Sequence, residues 1–123
     1  MTEFSHIRGE VVAGKGEGRT FGFPTLNIIM NSDDAKTYCG VYAGHVLVNT
    51  ASYRAAIAIL DTPPQCEAFL LDLDKGSYYG KTVEVTLFEK VSDIKKYESR
   101  EALIKKIEND VAKVREYFLR IEN

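Results

Sequence analysis

The 123-residue chain has little of what would assign it to several broad classes of protein. Its two cysteines, Cys39 and Cys66, make no disulfide framework and no Cys-x-x-Cys pair, so reduced thiols in a cytoplasmic protein are the expectation. Its two histidines, His6 and His45, lie far apart and have no metal-ligand spacing, which leaves them as surface or strand residues. No apolar run approaches a membrane span, and Met-Thr-Glu-Phe-Ser-His at the start has no basic region followed by an apolar core. A net charge of −2 gives no reason to expect nucleic acid or an anionic membrane as the main partner. There is no internal repeat, low-complexity tract or linker. What remains is ordinary for a globular protein, 45% hydrophobic and 28% charged, and the length suits one domain over residues 1–123.

Glycine is concentrated in one stretch of an otherwise plain sequence. Gly14, Gly16, Gly18 and Gly22 stand close together, with Lys15 and Arg19 among them. Glycine permits positive φ and close approach of a ligand to the backbone, so such a loop can turn several N–H groups toward one anion. Pro24 ends the loop by fixing φ and pushing Phe23 into an extended conformation. Thr25-Leu-Asn-Ile then reads as a strand. Residues two apart share a face, so Thr25 and Asn27 point one way and Leu26 and Ile28 the other. A hydroxyl and an amide carbonyl are oxygen donors suited to a hard cation, and a basic loop beside them suits a magnesium-bound phosphate chain. A mobile hairpin tip, with its glycines serving only turns, is the competing reading. Two named phosphate motifs fail. Gly80-Lys-Thr82 has the Walker ending, but Gly76 stands three spacers ahead of it rather than four. Phe21 occupies the last glycine place of a dinucleotide fingerprint begun at Gly16 and Gly18.

The remainder divides into a strand region, about 6–90, and a helix, about 99–119. Strands are expected over Ile7–Ala13, Thr25–Met30, Val41–Val48, Tyr53–Leu60, Cys66–Leu73 and Thr82–Glu89. Asn31-Ser-Asp-Asp34 reads as a turn whose acids face water, and Asp61-Thr-Pro-Pro64 as a break. Asp72 and Asp74 fall at a strand end, in a turn. Many short strands with tight connections imply an antiparallel sandwich or barrel, and closure favours the barrel because it removes exposed edges. Ser99 is a helix N-cap. Leu103, Ile107, Val111, Val114 and Phe118 then form an apolar stripe, leaving Lys105, Lys106, Glu108, Lys113 and Glu116 mostly to solvent. Glu67 is the one charge in the apolar strand Cys66-Glu-Ala-Phe-Leu-Leu71. It either faces solvent or is held in a site as a general base.

The pattern Gly9-x-Val-Val-x-Gly-x-Gly-x-Gly-Arg-x-x-Gly-Phe-Pro-Thr-x-Asn27 resembles the signature of the riboflavin kinase family. Gly40-Val-Tyr-Ala43, Glu67-x-x-Leu-Leu-Asp72, Tyr79-Gly-Lys81 and the final helix match further family segments in order, from about Ile7 to Phe118. The resemblance implies a six-stranded Greek-key barrel with a C-terminal helix. It also implies transfer of the ATP γ-phosphoryl group to the 5′-hydroxyl of riboflavin, giving FMN. Glu67 then stands at the family's catalytic base, and Thr25 and Asn27 at the site of magnesium, with zinc or manganese as alternatives. Gly14, Lys15, Gly16, Gly18, Arg19, Gly22 and Pro24 would cover the phosphates. The loop from Val91 to Tyr97 would help form the flavin pocket, with Val91 and Tyr97 against the ring.

The chain departs from the family pattern at four places. Leu26 replaces a usual alanine, Ser92 an arginine and Phe69 a frequent histidine, and the turn before Glu67 is shorter. The last three lie toward the flavin side, whereas the nucleotide side keeps its residues. A non-catalytic flavin or nucleotide binder (carrier, sensor or subunit) is therefore the alternative, followed by a kinase of another small alcohol. No His-x-Gly-His nucleotide motif occurs, so FAD synthesis is not expected of this chain alone. It is expected to act as a monomer, or as a fragment of or partner to an FMN adenylyltransferase.

Overall fold

The computed structural model describes residues 5–12, 25–71, 78, 80–95 and 98–122. Six strands, β1 (Ser5–Val12), β2 (Thr25–Ile28), β3 (Gly40–Val48), β4 (Ala51–Asp61), β5 (Pro64–Leu70) and β6 (Thr82–Ser92), close into a barrel in the order β1-β2-β5-β4-β3-β6. Every pairing is antiparallel. Strands β3, β4 and β5 follow one another through tight turns, and β6 returns to lie beside β3, which is the Greek-key arrangement. Among the described residues two helices accompany the barrel: α1 (Ser32–Tyr38) and α2 (Arg100–Glu122).

The pleat sorts side chains strictly. Leu26, Ile28, Ile57, Ile59, Cys66 and Ala68 point inward and join the interior cluster. Ala43, Ala56, Ala58 and Phe69 point outward, yet they too are buried, beneath Val111, Val114 and Phe118 of α2. Strands β4 and β5 are thus covered on both faces where the helix lies, which is why they read as near-continuous apolar runs. Each fully covered side chain of the stripe contributes about 1.5–3 kcal/mol of burial. The helix opens as expected, with Ser99 Oγ accepting from Ala102 N–H at 3.1 Å.

Three boundaries differ from expectation. Asn31–Asp34 is no simple turn but the start of α1. Asn31 is its N-cap, with Oδ1 accepting from Asp34 N–H at 2.8 Å, and Ala35 is fully buried. Asn, Ser and Asp serve turns and N-caps by the same side-chain-to-backbone bond, so composition does not separate them. Strand β6 runs on to Ser92, so Val91 and Ser92 belong to the sheet and not to the following loop. Strands β4 and β5 extend to meet at Asp61 and Pro64, leaving Thr62 and Pro63 as the turn.

Close backbone approach fixes a glycine in β3. A Cβ on Gly44 would strike the carbonyl oxygen of Thr86 and lie 2.6 Å from Ile57 Cδ1. Gly44→Ala should therefore cost about 1–3 kcal/mol, read as a lower urea midpoint at unchanged m value. On the same strand, His45 sits edge-on to Phe88, with ring centroids 4.9 Å apart, and shares a 3.1 Å hydrogen bond with Ser52. Burial, and secondarily the charge of His6, lowers its pKa below the usual 6.5. The unfolded chain then takes up this proton at a higher pH than the folded one. Stability from this group is present above about pH 6.5 and is lost as pH falls through the depressed folded value. Urea midpoints measured from pH 7.5 down to 5 should fall less steeply for His45→Gln than for the parent chain.

Candidate active site between β2, β5 and the C-terminal helix

Register alone brings the predicted polar residues together. Asn27 on β2 is directly opposite Glu67 on β5, and Thr25 opposite Phe69. Directly paired residues share a face, so Thr25, Asn27 and Glu67 all lie on the barrel's outer wall. The row continues around the barrel through Ala58 on β4 and Val41 on β3 to Ser92 on β6. Asn27 is only 8% exposed, unusual for an amide on an outer wall, while Thr25 and Glu67 are half-buried.

A residue absent from the sequence reading joins them. Gln65, two positions before Glu67 and on the same face, donates from Nε2 to Glu67 Oε1 at 2.7 Å and to Asn27 Oδ1 at 3.3 Å. One amide nitrogen thus reaches both oxygens. Sequence had placed Gln65 in the turn before the strand. Only the extension of β5 back to Pro64 puts its side chain in phase with Glu67.

Beside this row a cleft of about 130 Å³ opens between barrel and helix. At about 30 Å³ each, that volume holds about four waters. Its floor is small and apolar (Val41, Ala56, Ala58), its sides are Phe69, Ile94, Leu103 and Ile107, and Glu67 lines one margin. Lys106 and Asp110 line it from α2. Lys106 was expected to face water; instead its ammonium pairs with the Asp110 carboxylate, with the two side chains 15% and 9% exposed. It also donates to Ser92 Oγ at 2.6 Å, and Ser92 donates to Asp110 Oδ1 at 2.8 Å. The cause is the extra length of β6, which carries Ser92 under the helix where the two residues, one turn apart, flank the apolar stripe.

The other predicted site residues divide plainly. Val91 packs in the outer cluster with Ile94 and Ile107 and is not among the residues lining the cleft. Gly14, Lys15, Gly16, Gly18, Arg19, Gly22, Pro24 and Tyr97 lie outside the described residues, as do Asp72 and Asp74. Among the described residues no three His, Cys, Asp or Glu side chains gather as a metal cluster, and no helix is long and apolar enough to cross a membrane. Cys66, behind Glu67 in the barrel interior, has its thiol pKa pushed up to about 12 by burial, with a smaller push from Glu67; it stays protonated.

A closed Greek-key barrel, roofed on one side by a helix and carrying hydroxyl, amide and carboxyl in one row on its outer wall, defines the structural class. Within it, the profile of the family described as Flavokinase, riboflavin kinase, matches residues 1–118, and the chain belongs to the riboflavin kinase family as its kinase domain. Sequence relatives carry the same label. The chain is 32% identical over 117 residues to the trifunctional protein RibF/MnmA of Mycoplasmoides gallisepticum, covering 89% of this chain and 17% of that protein. It is 30% identical over 123 residues to the bifunctional riboflavin kinase/FMN adenylyltransferase of Listeria monocytogenes, covering 94% and 39%. It is 32% identical over 122 residues to the RNA-binding riboflavin kinase RibR of Bacillus subtilis, covering 91% and 50%. The chain thus spans half or less of the length of these relatives. The fold is that of the riboflavin kinase from Trypanosoma brucei, with a TM-score of 0.68 at 22% identity over 97% of this chain and 83% of that one.

Removing one partner of the covered ion pair within α2 strands the other. Asp110→Ala should cost about 3 kcal/mol, because the Lys106 ammonium stays covered without its carboxylate; urea unfolding measures it.

Proposed function

We propose that this chain, as one domain over residues 1–123, transfers the γ-phosphoryl group of ATP to the ribityl 5′-hydroxyl of riboflavin, giving FMN and ADP. The observation carrying this reading is the pairing of Asn27 with Glu67 across β2 and β5, at the margin of an apolar cleft. The cleft suits the flat ring of the flavin: its floor is Ala56, Ala58 and Val41, which leave space where larger side chains would fill it. With the ring there, the ribityl chain runs toward β5 and its terminal hydroxyl toward Glu67.

Glu67 acts as general base. As the hydroxyl oxygen forms its bond to the γ-phosphorus, the bond from that phosphorus to the β–γ bridging oxygen breaks, ADP departs, and the hydroxyl proton passes to the Glu67 carboxylate. Gln65 holds the carboxylate toward Asn27 meanwhile. The glycine loop, Gly14 to Gly22 with Lys15, Arg19 and Pro24, covers the phosphates and excludes water, limiting loss of ATP to hydrolysis.

The donors present fit a hard cation. Thr25 and Asn27 offer neutral oxygens on one face, with no thiolate or imidazole beside them among the described residues, which favours magnesium over zinc. Thr25 and Asn27 would hold the ion, with phosphate oxygens and waters completing its shell. When bound it neutralises phosphate charge.

The proposed setting is cytoplasmic and monomeric. Because relatives carry an FMN adenylyltransferase on the same polypeptide, FMN would pass to such an activity. A net charge of −2 gives no reason to expect nucleic acid as the main partner, and none is proposed.

Incubating the purified chain with riboflavin, ATP and magnesium, then separating the flavins by chromatography, should yield FMN. Glu67→Gln should lower kcat on the order of a hundredfold while riboflavin KM changes little. Thr25→Ala and Asn27→Ala should raise the magnesium concentration needed for half-maximal rate. Normal turnover by Glu67→Gln would remove its role as base. Riboflavin bound but never phosphorylated would make the chain a carrier.

A further inference from the structure

The cleft has charge at both ends. Glu67 on β5 marks one, and the Ser92–Lys106–Asp110 cluster on β6 and α2 marks the other. They belong to one transverse row, Glu67–Ala58–Val41–Ser92, and three strand spacings make it about 14 Å long. Between them along the row stand only Ala58 and Val41; Lys95, just past β6, also lines the cleft but, unlike Lys106, is not held by Ser92 and Asp110.

A covered ion pair is not needed to dock the helix. Val111, Val114 and Phe118 already seat it, and a well-packed apolar pair in place of two charges is commonly as stable or more so. The cluster is also unequal in what it satisfies. Asp110 has both oxygens engaged, Oδ1 by Ser92 and Oδ2 by Lys106. An ammonium has three N–H donors, and Lys106 spends two, on Ser92 Oγ and Asp110 Oδ2. The third belongs to a cation lining the cleft and held from behind by two partners, so its rotamer freedom is already spent.

We infer that Lys106 is a specificity-determining residue, whose ammonium donates a hydrogen bond to a ring carbonyl oxygen at the pyrimidinedione end of the flavin. This rests on the flavin reading of the cleft above. The two ends of the ring differ chemically. The dimethylbenzene end offers no acceptor and would leave the ammonium desolvated without compensation. The pyrimidinedione end offers two carbonyls. Asp110 and Ser92 are positioning residues that aim the cation. The bond fixes which way round the ring lies, and so which direction the ribityl chain leaves toward Glu67.

Calorimetric titration of riboflavin, 2-thioriboflavin and 4-thioriboflavin tests this without turnover, since sulfur is a poor acceptor in place of the carbonyl oxygen. The proteins are the parent chain, Lys106→Met/Asp110→Leu, which removes both charges and keeps side-chain bulk, and Lys106→Arg. The double variant should bind riboflavin at least about tenfold more weakly, the loss of one charge-assisted hydrogen bond, with its melting temperature and its calorimetric affinity for ATP little changed. The parent should discriminate against at least one thio analogue, the double variant against neither, and Lys106→Arg should retain most of the affinity. Equal riboflavin affinity in parent and double variant overturns the inference, as does a thio penalty that survives the double substitution. If the double variant does not fold, Lys106→Met/Asp110→Asn, which also removes both charges but leaves a polar partner for Ser92, takes its place under the same criteria. A parent chain that binds ATP but no riboflavin overturns the flavin reading and this inference together. A parent that binds riboflavin without discriminating between analogues overturns this inference alone.

Discussion

The antiparallel ladder between β2 and β5 is the constraint on which the site depends. It is short, with four paired positions from Thr25↔Phe69 to Ile28↔Cys66. Within it the pleat assigns Leu26, Ile28, Cys66 and Ala68 to the interior and Thr25, Asn27, Glu67 and Phe69 to the outer wall. A slip of one residue would send a carboxylate and an amide into the apolar interior and bring Cys66 and Ala68 out. Exclusion of Glu67 and Asn27 from the core therefore enforces the same register that makes them neighbours. The chemistry and the fold are protected by one physical penalty.

The second dependence is on the helix. An outer wall bearing Ala43, Ala56, Ala58 and Phe69 would be an exposed apolar patch on a bare barrel. The stripe of α2 covers it, and the far end of the helix is tied down by side-chain contacts. Arg54 bonds Glu122 at 2.9 Å and lies 5.6 Å from the centre of the Phe118 ring, and Arg120 bonds Glu89 at 2.9 Å. These exposed pairs add little energy individually. Phe88, Tyr117 and Phe118 cluster there, ring against ring. Toward the first turns, Leu103 and Ile107 stand over alanines and the apolar cleft opens.

Burial also separates reactive from inert groups. Cys66 and Glu67 are consecutive, yet the pleat puts the thiol in a dry interior, where its pKa rises to about 12, and the carboxyl beside the cleft. Neighbours in sequence are on opposite sides of one layer of backbone. The absence of basic excess fits the same economy: charge is used locally, as with Lys106 against Asp110, and not as a surface field.

Much of this was readable before any coordinates. The strand patterns gave all six strands to within about three residues at each described boundary, and the period of 3.6 gave the α2 stripe from Leu103 to Phe118. Thr25 and Asn27 share a face because period two is local to the strand. Glu67 stood out as a lone charge in an apolar run. What stayed hidden depended on contacts between distant segments. The helix after Asn31 was masked because caps and turns use the same residues. Gln65 became part of the site through the length of β5, and Lys106 left the solvent face for Asp110 because β6 continues to Ser92. The chain's own periodicities determined which side of each element is apolar, since that is a local steric property. Only the closed barrel decided which outer faces meet, because strand order and register are set by packing over the whole molecule, and from that came the pairing of Asn27 with Glu67 and the charge at the far end of the cleft.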